Sequence, residues 1–386
     1  MRIGIVSETW PPEINGVALT VHGLAAGLAA RGHAIDVVRP RQARQSVADP
    51  HFETLFTRGV ALPRYPGLRF GLPAGQALHE RWAQERPDAI YIATEGPLGW
   101  SALRTACALR IPVATGFHTR FDSYVGHYGL RWLTSLVRGH LRRFHSRAVA
   151  TLVPTDALAQ ELAALGVDNA RLLRRAVDTQ LFHPDRRDPA LRAQWGVDAG
   201  TPVVLYVGRI APEKNLDLAV QAFRAAQRKQ PALRYVWVGD GPARAALQAA
   251  HPDFIFAGMQ RGEALARHIA SADLFPFPSL SETFGNVILE AMACGLPVVA
   301  YHEGAAREHL RDGYNGYRIA SGNAAEFVEA TVRLANNPGL IRHMGRRAHE
   351  GVARLSPERV IREFETLLRE LAEEQHHEHD TVVVHA

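Results

Sequence analysis

The chain contains 386 residues, of which 44 are Lys or Arg, 39 are Asp or Glu and 47% are apolar. This length predicts two domains, each large enough for its own core, and the composition excludes a disordered or collagen-like chain. The two cysteines, Cys107 and Cys294, are too few for a disulfide framework and indicate a reducing compartment. No stretch has the roughly 20 apolar residues of a membrane-spanning helix or the apolar core of a signal peptide. We therefore expect a cytoplasmic protein, with peripheral contact to the inner face of the membrane left open.

The net charge of +5 is distributed unevenly along the chain. Residues 1–180 hold 21 Arg and 14 Asp or Glu, whereas the remainder holds 23 Lys or Arg and 25 Asp or Glu. The excess positive charge therefore belongs to the first half. Because no nucleic-acid-binding motif accompanies it, we do not expect nucleic acid as a partner.

Short apolar strands alternate with helical stretches along the chain. In the first half, strands are predicted at 3–6, 35–38, 89–93, 112–116 and 151–154, and helices at 17–30 and 157–165. In the second half, strands are predicted at 203–207, 235–238, 254–257, 274–276 and 297–300, and helices at 216–228, 243–250, 262–270 and 287–294. The alternation predicts an α/β protein with two doubly wound, Rossmann-like domains facing across a cleft. In such sheets, ligands bind beyond the carboxyl ends of the strands.

The segment 183–200 is rich in proline and charge and lacks sustained periodicity, which predicts a linker. The N-terminal domain is then expected at 1–182, and the C-terminal domain at 201–356. A long helix is expected at 357–375, followed by a flexible, histidine-bearing tail at 376–386.

Arg209 and Lys214 stand in the loop after the strand predicted at 203–207. Arg can fork onto two phosphate oxygens and Lys adds a compact charge, so this loop suits a diphosphate. A solvated helix start in which Glu213 pairs with Lys214 explains the same residues equally well. The glycines that follow the next strand, in VGDGP at 238–242, favour a tight turn over a close approach to a ligand when taken alone.

The sequence PSLSETFGN at 278–286 runs directly into the apolar helix VILEAMAC. Its backbone N–H groups and the positive end of the helix would bind an anion. Glu282 precedes the helix, and Glu290 inside it needs a partner because burying an unpaired carboxylate is costly. Sugar hydroxyl groups are suitable partners. The alternative is a favourable charge at the helix N-terminus for Glu282 and a structural hydrogen bond for Glu290.

Together these motifs resemble the retaining nucleotide-sugar glycosyltransferases of family 4, which have the GT-B fold. The donor-domain motifs are GRIAPEKNL at 208–216, VGDGP at 238–242 and SETFGNVILEAMACGLPVV at 281–299, the last with the paired-glutamate pattern E-x7-E. NGV at 15–17 and FHTRFDSY at 117–124 fit loops of the acceptor domain. Within the family, the chain is similar to bacterial GDP-mannose-dependent α-mannosyltransferases and to lipid glycosyltransferases.

The resemblance implies a role for each matching position of the donor domain. Arg209 and Lys214 would hold the donor diphosphate and act in catalysis, as would Glu282 at the transferred sugar. Glu290 would bind the ribose hydroxyl groups. Further donor contacts would come from Phe284, Gly285 and Asn286 through backbone N–H groups, and from Gly258 and Met259 beside the base.

In the acceptor domain, the resemblance assigns two residues to the reaction. Gly16 would let the backbone approach the donor diphosphate and sugar, and His118 would reach the donor sugar and the reaction centre as a catalytic residue. The helix at 357–375 would return to this domain, as is common in the fold.

The reaction implied is transfer of a hexose, mannose or glucose, from a nucleotide-diphosphate sugar to an acceptor hydroxyl group with retention of configuration. GDP-mannose is the favoured donor, and a membrane glycolipid or cell-envelope glycan the favoured acceptor. No Asp-x-Asp pair occurs in the chain, so we expect no metal and no other cofactor.

The first half contains no acidic residue between Asp122 and Asp156. The sequence RWLTSLVRGHLRRFHSRAVA at 131–150 has apolar residues at helical spacing with arginines between them, a pattern of helices that lie on anionic membranes. A helix packed on its domain with solvated arginines is the alternative. The residues assigned to the acceptor or membrane surface are Asp122, Tyr124, Trp132, Arg138, Arg142 and Arg143.

Three other functions compete with transfer. An NAD-dependent Rossmann enzyme would need G-x-G-x-x-G after a strand, which neither domain start offers. A nucleotide-sugar epimerase on the same fold would need acid and base carboxylates at the sugar. A non-catalytic nucleotide- or glycan-binding protein would not need to retain Arg209, Lys214, Glu282, Glu290 and His118 together.

Overall fold

A computed structural model describes residues 1–13, 16–41, 51–61, 69–118, 134–280 and 284–384. The chain divides into two compact units. The first unit is Met1–Arg175 together with Pro357–Ala386, and the second is Ala176–Ser356. The second unit therefore interrupts the sequence of the first.

The described residues of the first unit contain a seven-stranded parallel sheet with the order β3-β2-β1-β6-β7-β8-β9. Its strands are β1 Arg2–Val6, β2 Ala34–Pro40, β3 Glu53–Thr57, β6 Ala89–Ile92, β7 Val113–Gly116, β8 Ala150–Val153 and β9 Ala170–Leu172; β4 Gly59–Ala61 and β5 Arg69–Gly71 form a separate antiparallel pair. The helices are α1 Gly16–Ala30, α2 Gly75–Gln84, α3 Pro97–Ala108, α4 Thr134–His145 and α5 Asp156–Ala164. The strands predicted in this half are confirmed. The edge strands β3 and β9 were not predicted, because they are only partly buried and lack the apolar runs of the central strands.

The strand order reverses between β1 and β6. From β1 the chain proceeds outward to β2 and β3, and it then returns to place β6 on the other side of β1. A doubly wound sheet opens a crevice at such a switch point, beyond the carboxyl ends of the two strands. In the first unit, the loops after β1 and β6 therefore border this crevice.

The second unit is built on the same plan. Its strands are β10 Val203–Val207, β11 Arg234–Val238, β12 Ile255–Gly258, β13 Phe275–Phe277, β14 Val298–Tyr301 and β15 Gly316–Ile319. Its helices are α6 Pro189–Gln194, α7 Leu216–Gln227, α8 Arg244–Ala250, α9 Gly262–Ala270, α10 Asn286–Ala293, α11 Gly304–His309, α12 Ala324–Ala335 and α13 Pro338–Val352. The strand ladders β10-β11-β12 and β13-β14-β15 lie side by side, because the Leu205 N–H donates to the Leu274 carbonyl oxygen (3.0 Å). The order is thus β12-β11-β10-β13-β14-β15, with the switch point between β10 and β13.

Alternate residues of β10 and β11 enter two different cores. Val203 and Leu205 pack in one apolar cluster with Val236, while Val204 and Tyr206 pack in another with Trp237. The Tyr206 and Trp237 rings stack with centroids 4.4 Å apart. Burial on both faces explains why these strands are continuously apolar in sequence.

The segment predicted as a linker, 183–200, is instead folded into the second unit, which begins at Ala176. Leu191, Trp195 and Val197 are buried in its core. Asp188 accepts hydrogen bonds from the N–H groups of Ala190 and Leu191 and so caps α6. Helix α6 has only six residues, too few to show helical periodicity in the sequence. The linker was therefore predicted from the proline and charge content alone.

The C-terminal helix, α14 Pro357–Val384, packs on the first unit and runs beyond residue 375, where the sequence predicted its end. A Cβ on Gly27 of α1 would collide with Ile361, so the glycine permits close helix packing. The Phe364 ring lies 5.1 Å from the Tyr91 ring of β6. Glu365 accepts from Arg31 and lies 3.0 Å from His33 Nε2. These contacts hold the helix against both α1 and the sheet.

Candidate functional site

The loop after β10 carries both predicted diphosphate ligands. A 3-10 turn, Pro212–Lys214, follows Arg209, and Asn215 then adopts a left-handed conformation (φ 55°). The Asn215 side chain donates to the Pro278 carbonyl oxygen (3.2 Å), which ties this loop to the loop after β13. Arg209 lies 3.2 Å from Glu213, so the glutamate pairs with the arginine. Both cations therefore follow a strand that borders the switch point.

Glycine is required where the neighbouring loops meet. Gly239, which follows β11, has φ 136°, and a Cβ there would collide with the Gly208 carbonyl oxygen. Its N–H donates to the Gly258 carbonyl oxygen at the end of β12 (2.8 Å). The VGDGP glycines thus allow the loop backbones to pack against each other. Met259 follows Gly258 at the end of β12, and its side chain is exposed.

The loop after β13 leads into α10. Phe284 is buried, and its carbonyl oxygen accepts from the Ala305 N–H (2.6 Å). Gly285 caps α10 in a left-handed conformation (φ 87°), and the buried Asn286 Oδ1 has no hydrogen-bond partner among the described residues. Residues 281–283, and with them the predicted sugar contact Glu282, lie outside the described residues.

Glu290 lies on α10, one residue before the buried Ala291 and Met292. Burial raises the pKa of its carboxyl group to about 7. The nearby Cys294 thiol is a buried free cysteine, and burial together with the Glu290 charge raises its pKa. A hydrogen bond from a hydroxyl group would offset the free-energy cost of burying this carboxyl group.

In the first unit, Gly16 begins α1 and is exposed, and its carbonyl oxygen accepts from Thr20 Oγ1 (2.7 Å). His118, two residues beyond β7, is buried, with both ring nitrogens engaged inside the unit. Arg175 donates to Nδ1 (2.6 Å), and the Tyr91 hydroxyl lies 2.6 Å from Nε2. Because a guanidinium group only donates, Nδ1 must accept, and the ring proton lies on Nε2.

This environment makes His118 a neutral residue. Burial, and next the Arg175 charge, hold the pKa of its imidazole well below the usual value of 6.5. Since Tyr91 and Arg175 occupy the two ring nitrogens, the ring as described has no free nitrogen for a substrate. The prediction that His118 reaches the reaction centre stays a prediction, and the structure adds a structural role.

Two glutamates at the switch point of the first unit were missed by the sequence reasoning. Glu8 follows β1, and its Oε1 accepts from the Leu98 N–H at the start of α3 (2.9 Å). Glu95 follows β6 and is likewise buried. Burial raises the pKa of the Glu8 carboxyl group to about 7, and burial together with the Glu8 charge raises that of Glu95 to about 8. A glutamate two or three positions after each of two apolar strands was the available signal.

Helix α4 carries the described part of the predicted membrane surface. Arg138, Arg142 and Arg143 are exposed, and Leu136 is 72% exposed, while Leu141 and Phe144 are buried. The helix is therefore packed through one face and presents arginines and an apolar side chain on the other. Asp122, Tyr124 and Trp132 lie outside the described residues.

No described helix is both long enough and apolar enough to cross a membrane. Within the same residues, no three His, Cys, Asp or Glu side chains are grouped so that they could hold a metal ion.

The chain matches known proteins along most of its length. Residues 14–181 match the family described as Glycosyltransferase Family 4, and residues 201–337 match the family described as Glycosyl transferases group 1. A GDP-mannose-dependent alpha-mannosyltransferase of Mycolicibacterium smegmatis is 35% identical over 313 residues, 80% of this chain and 81% of that protein. The chain belongs to glycosyltransferase family 4.

More distant matches agree with this assignment. An alpha-monoglucosyldiacylglycerol synthase of Acholeplasma laidlawii is 26% identical over 96% of this chain and 97% of that protein. The solved structure of sucrose-phosphate synthase from Thermosynechococcus elongatus matches with a TM-score of 0.77 at 21% identity, over 96% of this chain and 98% of that one. The GT-B fold predicted from the sequence is confirmed, and the chain is a glycosyltransferase and not an epimerase.

Proposed function

We propose that this glycosyltransferase is a retaining, metal-independent hexosyltransferase that uses a nucleotide-diphosphate sugar, with GDP-mannose as the preferred donor. The observation that carries the proposal is the loop after β10, which presents Arg209 and Lys214 beside the switch point of the second unit. A mannosyltransferase that is 35% identical and named for GDP-mannose supports the choice of donor.

The two cations suit the charge that develops in the reaction. Breaking the bond between the sugar C1 and the diphosphate oxygen leaves negative charge on the departing diphosphate. Arg209, Lys214 and the N–H groups at the start of α10 are fixed donors of the kind that stabilise such charge without reorganisation. This set supplies what a metal ion supplies elsewhere, which supports metal independence.

Retention is proposed through attack on the same face of the sugar. The acceptor oxygen forms the new bond to C1 on the face from which the diphosphate departs, and the acceptor proton passes to the departing phosphate oxygen. Glu282 would contact the transferred sugar, and the raised pKa of Glu290 supports a role in binding ribose hydroxyl groups. The product is an α-glycoside when the donor is α-linked.

The proposed acceptor is a hydroxyl group of a membrane glycolipid or cell-envelope glycan. The Acholeplasma relative is named for a glucosyl diacylglycerol product, which supports a lipid acceptor. The exposed arginines of α4 and the exposed Leu136 support peripheral contact with an anionic membrane. No nucleic-acid partner is proposed.

The donor is tested by thermal shift with GDP, UDP and ADP, followed by transfer of labelled mannose from GDP-mannose. A ligand that binds the folded state stabilises it by RT ln(1 + [L]/Kd), so at equal nucleotide concentrations GDP, the expected tightest ligand, should raise Tm the most. A larger Tm shift with UDP would mean that the donor is a UDP-linked hexose and not GDP-mannose. Loss of transfer on treatment with EDTA, restored by a divalent ion, would contradict metal independence.

A further inference from the structure

Glu95 stands out among the described residues as a buried carboxyl group without a hydrogen-bond partner for Oε1. The residue is 6% exposed, and it lies three positions after the end of β6, at the switch point of the first unit. Glu8, which follows the adjacent strand β1, accepts a hydrogen bond from the N-terminal backbone of α3. Leaving a polar atom buried and unpaired costs free energy, so proteins retain such groups where a ligand completes them.

The neighbouring groups show why the protein itself does not complete this residue. The Glu8 carboxyl group is already satisfied by backbone N–H groups at Leu98, Gly99 and Gly71. The Tyr91 hydroxyl, which is near enough to Glu95 to feel its charge, is bonded to His118. Arg175 donates to the far side of the same imidazole ring and not to a carboxylate. Among the described residues, the Glu8 carboxyl group and the Tyr91 hydroxyl are therefore engaged elsewhere, and Glu95 Oε1 is left without a hydrogen-bond partner.

We propose that Glu95 is an acceptor-binding residue of the first unit and that its carboxyl group hydrogen-bonds a hydroxyl group of an uncharged, hydroxylated acceptor. The proposal rests on the function proposed above. A carboxylic acid that keeps its proton carries one donor and one acceptor, which matches a hydroxyl group that also donates and accepts. The raised pKa of Glu95, about 8, means that the group keeps this proton at neutral pH.

The backbone of Glu95 links this group to helix α4. The Glu95 carbonyl oxygen lies 3.1 Å from His140 Nε2, and His140 is on the same helix as the exposed arginines. The Trp100 indole N–H of α3 lies 3.0 Å from that histidine nitrogen. The contact with His140 thus lets α4 position the backbone of Glu95. An acceptor presented by a membrane at α4 would then lie close to this carboxyl group.

The test compares Glu95→Ala and Glu95→Gln with wild-type protein and with Glu80→Ala, an exposed carboxylate on α2. Transfer from GDP-mannose is measured to diacylglycerol and to monoglucosyldiacylglycerol, each in phosphatidylglycerol vesicles, and to methyl α-mannoside in solution. Binding of GDP and Tm are measured on every variant.

We expect Glu95→Ala to raise the KM for the acceptor about tenfold with GDP binding unchanged, because one buried hydrogen bond is lost. Glu95→Gln should retain most activity at pH 7, since it keeps a donor and an acceptor. Its Tm at pH 7 should equal or exceed that of wild type, because the variant folds without the free-energy cost of protonating a buried carboxyl group. Glu80→Ala should change neither the KM for the acceptor nor the binding of GDP.

Three results would overturn the proposal. A fall in Tm for Glu95→Gln would make the carboxyl group structural, and an unchanged acceptor KM in Glu95→Ala would remove it from the acceptor site. A wild-type protein that binds GDP but transfers to none of the three acceptors would overturn the proposed acceptor and this assignment together. The first two failures appear only in the variants, whereas failure of the proposed function appears in the wild type.

Discussion

At the switch point of the second unit, the loop after β10 presents two cations, Arg209 and Lys214. At the switch point of the first unit, the loops after β1 and β6 present two buried carboxyl groups, Glu8 and Glu95. The two sheets share the doubly wound plan, so the difference lies in the loops and not in the topology. It matches the two substrates proposed for the enzyme, an anionic diphosphate in one unit and a neutral hydroxyl group in the other.

The largest expected effect tests the cationic side of this comparison. Lys214→Ala should lower kcat about 100- to 1000-fold, because a fixed charge on the departing diphosphate is lost. Lys229→Ala is the matched control, since it removes the only other lysine of the chain and that residue is exposed. Steady-state transfer from GDP-mannose measures both. Full activity in Lys214→Ala would overturn the diphosphate assignment.

The second prediction concerns His118 and asks whether the first unit uses it for structure. His118→Ala should destabilise the protein by about 3 kcal/mol, because it leaves the Arg175 guanidinium and the Tyr91 hydroxyl without their partner. Urea denaturation measures this, with the exposed His79→Ala as the control. A large loss of kcat at unchanged stability would instead assign His118 to the substrate, as the family resemblance implies.

The sequence indicated the loop after β10 as a candidate site but not the two carboxyl groups of the first unit, for a physical reason. Arg209 and Lys214 belong to a contiguous loop whose charge is visible in the sequence itself. Glu8 and Glu95 are separated by 86 residues, and only strand pairing brings their loops to one crevice. The burial that makes them unusual depends on tertiary packing. The prediction of a linker at residues 183–200 was wrong for the same reason, because Trp195 is buried by contacts with residues distant in sequence.

The third prediction uses the pH dependence of stability to test the carboxyl side of the comparison. The folded-state pKa of Glu95, about 8, lies above the ordinary value of 4.5, so folding is favoured by the bound proton. This contribution is fully present below pH 4.5 and is lost as the pH rises through about 8. Glu8 lies near the same group, and with a pKa of about 7 it contributes with the same sign.

Glu95→Gln should therefore reduce the fall in the free energy of unfolding as the pH rises. Between pH 5 and pH 9, the wild-type free energy of unfolding should fall by about 4 kcal/mol more than that of the variant. Denaturant titrations at each pH measure the difference. Parallel curves for the two proteins would mean that Glu95 is ionised in the folded state and that the two switch points are less different than proposed.

The smallest effect concerns the surface through which the first unit would receive its acceptor. Arg143→Gln removes one exposed charge from α4 and should weaken binding to phosphatidylglycerol vesicles about fivefold, at roughly 1 kcal/mol per basic residue near an anionic surface. Arg346→Gln, an exposed arginine of α13 in the second unit, should leave vesicle binding unchanged. Sedimentation at low and high salt measures both, because surface attraction is screened by ions. Equal losses in the two variants would mean that net charge and not α4 governs binding, and the positive charge of the first half would then have no local role at the membrane.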